Sequence, residues 1–136
     1  MPEMIDARRA LELLCDVVDG NEDFVYHEDP RVGMCRYVLD GQPSCLVGHV
    51  LVRAGWTVEQ VADLDPVRDG YIYTGGVSAG ELFGTFPEYF TVDAVRVLAA
   101  AQSAQDMQSS WGEALEYARS RFEKIQAQKD EENTGE

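Results

Sequence analysis

Basic residues are scarce in this chain. Its 136 residues include 11 lysines and arginines against 25 aspartates and glutamates, a formal net charge of −14. That balance argues against binding bare DNA or RNA through phosphates, which needs a basic surface. An anionic membrane surface would repel such a chain as well. Long apolar runs are missing too: nothing approaches the roughly 18 consecutive apolar residues of a membrane span. The N-terminus, M-P-E-M-I-D-A-R-R, lacks the basic-then-apolar layout of a signal peptide. Cysteine is sparse. Three is an odd number, and it suits reduced thiols in a cytoplasm better than a disulfide framework. A cytoplasmic protein is the expectation.

What is present is an ordinary globular composition, 45% apolar, in a length that suits one domain. Such a chain buries roughly two-thirds of its unfolded surface and needs no metal or disulfide staple. Asp6 reads as the N-cap of a helix over residues 6–19, with Leu11, Leu14, Cys15 and Val18 as its apolar stripe and Gly20-Asn21 as its stop. Cys15 on that stripe reads as a small core hydrophobe. Residues 34–39 alternate as a strand, Asp40-Gly41 marks a tight turn, and Pro43 forbids a long return strand. Ser44 then caps a helix over 45–54. Gly48 in its middle costs about 1 kcal/mol against alanine, which points to close backbone packing there.

Thr57 to Gln60 is a capping box opening a short helix that ends near Leu64. Residues 66–90 are rich in glycine and aromatics, with a short strand at 71–73 and a helical turn at 78–83. Thr91 caps a helix over 92–107, whose buried face is traced by Val92, Val95, Leu98, Ala101 or Gln102, and Gln105, with Val97 and Ala94 widening it. Ser110 to Glu113 is a second capping box, opening a helix over 111–127 that buries Trp111, Leu115, Ala118, Phe122 and Ile125. These last two helices should pair as an antiparallel hairpin. Residues 128–136 are polar and acidic and read as a disordered tail. The expected fold is mostly α (α+β): four main helices with a short β-hairpin in one domain, residues 1–127. Its core should include Leu11, Leu14, Tyr37, Leu46, Val50, Leu98, Trp111, Leu115 and Phe122.

Four features bear on chemistry. Cys45 and His49 lie four apart, so a helix would carry both on one face. With His27 and Cys35 they have the residue types of a zinc site but not the tight C-x-x-C knuckle, so no metal is expected. As a thiol and its base they lack an orienting third group and a converging geometry. The glycines at 75–80 do not form a phosphate-binding loop, since the required lysine is absent.

Between Asp16 and Asp29 there are six acids and no lysine or arginine. The pattern does not match a calcium loop. It reads as a solvated patch or a contact for a basic partner, through Glu22, Asp23, Glu28 and Asp29. Lastly, Tyr71, Tyr73, Phe83, Phe86, Tyr89 and Phe90 crowd into 20 residues. Some should close the core, and any left exposed beside Leu82 would form a binding patch. Tyr71, Tyr73 and Phe86 are the expected anchors.

The stretch Y-V-x-D-G-x-P-S-C-L-V-G-H-V-L at 37–51 and the stretch A-Q-x-x-Q-D-M-x-x-S-W-G-x-A-L-x-x-A at 101–118 resemble small uncharacterised proteins of actinobacteria and their bacteriophages. That resemblance implies a small cytoplasmic accessory protein and carries no catalytic residues. The function expected is therefore a non-enzymatic protein-interaction module without a cofactor, binding a host or viral protein. Two alternatives are an acidic mimic of nucleic acid that occupies a DNA-binding protein, and an enzyme built on Cys45 and His49.

Overall fold

The first helix opens at a side-chain N-cap. Asp6 accepts a hydrogen bond from the Arg9 backbone N–H at 2.8 Å and opens α1 (Ala7–Val18). The computed structural model describes residues 2–27, 36–69 and 72–134. Helix α1 buries Ala7, Ala10, Leu13, Leu14, Val17 and Val18. The buried stripe is thus rotated from the expected one: Leu11 and Cys15 sit half-buried at its margin, and Ala7 and Ala10 take the centre. Small residues there let neighbouring helices approach closely.

A two-residue hairpin follows, β1 (Val38–Leu39) against β2 (Gln42–Pro43). Its turn has positive φ at both Asp40 and Gly41, 53° and 77°. That is the mirror-image turn whose twist matches a hairpin. Helix α2 (Leu46–Arg53) comes next, and then α3 (Val58–Ala62) behind the Thr57 capping box, present as expected. A second hairpin pairs β3 (Val67–Asp69) with β4 (Ile72–Thr74). A 3-10 turn (Ala79–Glu81) and the short α4 (Leu82–Thr85) lead to α5 (Val92–Asp106) and α6 (Trp111–Thr134).

The fold is mostly helical. Helices α1, α2, α5 and α6 pack around one core cluster that holds Leu14, Leu46, Val50, Leu98, Trp111 and Phe122. Lys129 Nζ lies 2.9 Å from Asp93 Oδ2, so the far end of α6 meets the start of α5 and the pair is antiparallel. Two details differ from expectation on these helices. Val92 is exposed, because it is the first residue of α5 and stands outside the packed turn; Leu115 is only half-buried. Helix α6 also runs to Thr134 instead of ending near Ala127, so residues 128–134 are helical and not a disordered tail. Gln, Lys and Glu are good helix formers, and an established helix propagates through them cheaply.

The N-terminal segment is stitched to the start of α5. The Ile5 N–H donates to the Tyr89 carbonyl at 2.9 Å, and the Thr91 N–H donates to the Ile5 carbonyl at 3.1 Å. Ile5 and Phe90 are both fully buried at this seam.

Candidate functional site

The N-terminus of α2 shows how this chain satisfies buried backbone groups. The N-cap is Cys45, not Ser44: its Sγ accepts from the Gly48 N–H at 3.4 Å, and the thiol is fully buried. The next two N–H groups find acceptors on α5. Leu46 N–H donates to Gln105 Oε1 at 2.7 Å, and Val47 N–H donates to Gln102 Oε1 at 3.3 Å. The first N–H groups of a helix lack partners within it, and leaving them buried and unpaired is costly. Two glutamines on an apolar stripe at i, i+3 are the sequence signal of such a task. Ser44, released from capping, pairs its hydroxyl with the Tyr26 hydroxyl at 3.1 Å.

Asp65 does similar work at the hairpin. Its carboxylate accepts from the Tyr37 and Val38 N–H groups at 2.8 and 3.1 Å while almost wholly buried, and Arg36 Nε stands 4.0 Å away. Burial pushes its pKa up, and the two backbone hydrogen bonds and Arg36 only partly offset that. No local signal in the sequence marked this aspartate.

His49 lies one turn into α2, but it does not meet the Cys45 thiol as a base would. Its ring packs edge-on against Trp111, centroids 5.5 Å apart. Burial, and then the Arg53 charge one turn on, depress its pKa below the ordinary histidine value. His49 lines a cleft of about 550 Å³ together with His27, Ser44, Arg53, Asn21, Phe24 and Trp111. Both histidines of the chain therefore reach one cleft, across 22 residues of sequence. The site is built by docking the 24–27 segment on α6: Trp111 N–H donates to the Phe24 carbonyl at 2.8 Å, and Gly112 N–H donates to the Glu22 carbonyl at 2.9 Å. Cys35, the remaining member of the considered metal set, lies outside the described residues. Among the described residues no three His, Cys, Asp or Glu side chains come together in a metal-binding group.

The expected partner-binding residues fall in different places. Glu22 and Asp23 are exposed in the turn after α1, and the Glu22 carboxylate accepts from the Gly20 N–H at 3.2 Å. Glu28, Asp29 and Tyr71 lie outside the described residues; Tyr73 is in β4, but its side chain also lies outside them. Phe86 is half-buried and packs edge-on against Trp56 at 5.2 Å, beside Tyr89 and Phe90. Much of the aromatic run thus closes the core around Trp56. Leu82, expected to join an exposed patch, is fully buried.

The exposed apolar surface lies elsewhere. Met107 is 78% exposed and Tyr117 62% exposed, and both line a groove of about 760 Å³ between α5 and α6. Its floor is made of Ala99, Ala100 and Ala104, and its rim carries Arg96, Arg121 and Lys124. No acid is among the described lining residues, in a chain where acids outnumber bases more than twofold. Arg96 also reaches Asp93 on its own helix at 3.5 Å. Among the described residues, no helix is long and apolar enough to cross a membrane. No protein-family model, curated protein or solved structure matches the chain.

Proposed function

We propose that this protein is a cytoplasmic, non-enzymatic interaction module, an accessory protein of the phage type suggested by its two motifs, and that it docks an acidic amphipathic helix of a protein partner between α5 and α6. The groove carries this reading. It joins two of the most exposed large apolar side chains, Met107 and Tyr117, to a cationic rim above an alanine floor. Helix-in-groove recognition uses apolar anchors at i, i+3, i+4 and i+7 spacing, and small floor residues let the partner backbone approach. Aromatic anchors dominate such interfaces, while rim charges set encounter and selectivity. The chain's overall negative field opposes an acidic partner at long range. At physiological ionic strength charges are screened beyond about 8 Å, so the local rim governs the docked state.

The charge reading differs from the expectation of a basic partner because no acid is among the described residues lining the groove that holds Met107 and Tyr117. The test uses two labelled amphipathic helical peptides with identical leucine anchors, one flanked by acids and one by lysines. Fluorescence anisotropy should show saturable binding of the acidic peptide, weakened by Tyr117→Ala and by Arg121→Glu. Preferential binding of the lysine peptide would return the basic-partner reading, or the nucleic-acid mimic, to first place. Binding of the acidic peptide that ignores both substitutions would remove the groove from consideration.

A further inference from the structure

We infer that the cleft between the 24–27 segment, α2 and the start of α6 is a binding site for a small organic anion with a flat apolar body. The cleft shares no lining residue with the α5–α6 groove, so the inference stands apart from the proposed function. Its volume, about 550 Å³, suits a small molecule. One wall is aromatic: Phe24, 46% exposed, meets Trp111 edge-on with centroids 4.6 Å apart. That pair offers an apolar surface to a planar group.

Among the described residues, the polar side of the cleft is the reverse of the chain's composition. Its titratable carboxylates number none among the described lining residues, while His27, His49 and Arg53 all face it. Arg53 presents a planar fork of donors matched to a carboxylate or a phosphate. His49 is held toward its neutral form by burial and by Arg53, and a neutral imidazole still offers one N–H. Trp111 lines the cleft and is 4% exposed, with its indole nitrogen wholly buried, so it offers the ligand ring surface and its N–H signal reports on what lies against that ring.

Cys45 is sealed in the core and bonded to Gly48 N–H, and among the described residues no thiol lines the cleft. Binding, not turnover, is what these side chains support. Carboxylates and phosphate monoesters share the recognition chemistry, and two ligands separate them.

The experiment is a ¹H–¹⁵N titration of the full chain with benzoate, phenyl phosphate, inorganic phosphate and neutral benzamide. The chain has two tryptophans, and Trp56→Phe assigns the indole N–H signals without touching the cleft. The Trp111 indole N–H should move saturably with benzoate or phenyl phosphate, whichever the cleft prefers. Benzamide and inorganic phosphate should bind at least about tenfold more weakly, since each lacks half of the recognition. Arg53→Gln, at an exposed position, should fold normally and lose about tenfold in affinity for the anion. An unmoved Trp111 signal with both aromatic anions overturns the inference. So does benzamide binding equal to benzoate, or unchanged affinity in Arg53→Gln.

Discussion

Replacing Gly48 by alanine should destabilise the protein, although alanine is the better helix former. The substitution gains about 1 kcal/mol of intrinsic propensity. Against this, a Cβ on Gly48 would overlap the Tyr37 carbonyl oxygen and stand 3.0 Å from its carbon and 3.2 Å from the Tyr37 Cα. All three are backbone atoms. They are fixed from both sides: Tyr37 O accepts from Ser44 N–H at 2.8 Å, and Tyr37 N–H donates to Asp65. The hairpin or the helix must therefore move. Overpacking of this kind costs about 1–3 kcal/mol, and the upper end applies where no flexible side chain can yield. Loss of the Ser44–Tyr37 hydrogen bond adds about 1 kcal/mol. The net expectation is a loss of about 2–3 kcal/mol, or roughly 6–12 °C in Tm for a chain of this size. Urea unfolding followed by circular dichroism and by tryptophan fluorescence measures it. Gly84→Ala in α4 is the control, because a Cβ there meets nothing within 4 Å. It should be neutral or stabilising by up to about 1 kcal/mol. A Gly48→Ala protein as stable as its parent would refute the close-approach reasoning.

Asp65→Ala should cost about 2–4 kcal/mol by stranding the Tyr37 and Val38 N–H groups, and equal urea midpoints for variant and parent would contradict that. His49 has a depressed pKa, so the unfolded chain takes up its proton first as pH falls; stability should decline below about pH 6.5, and less steeply in His49→Gln. Urea midpoints at several pH values between 7 and 5 check the slope, and identical slopes would remove His49 as its source. In a Cys35→Ser background, a thiol reagent should modify half-buried Cys15 well before sealed Cys45, and mass spectrometry after partial reaction reads the order.

The helices and most of their caps were legible because they are local. Asp6, Thr57, Thr91 and Ser110 each bond a backbone group three residues on, a contact that sequence spacing alone specifies. The Asp40-Gly41 turn was legible for the same reason, since only residues tolerant of positive φ make it. Gly48 stood out as a costly residue in a helix, but only the packed structure names Tyr37 as what it accommodates.

Tertiary structure decided the rest. Ser44 has the better capping chemistry, yet Cys45 holds the cap, because Ser44 is drawn to Tyr26 and α5 supplies Gln102 and Gln105 from far along the chain. The aromatic run could be counted from the sequence, but its division between core and surface depended on Trp56, which gathers Phe86, Tyr89 and Phe90 inward. The cleft needed His27, His49 and Trp111 from three separate segments, and the groove needed two helices side by side. Local rules specify backbone conformation within a few residues. Which polar groups meet across the core follows from how whole helices pack, and that is where this chain's candidate sites were made.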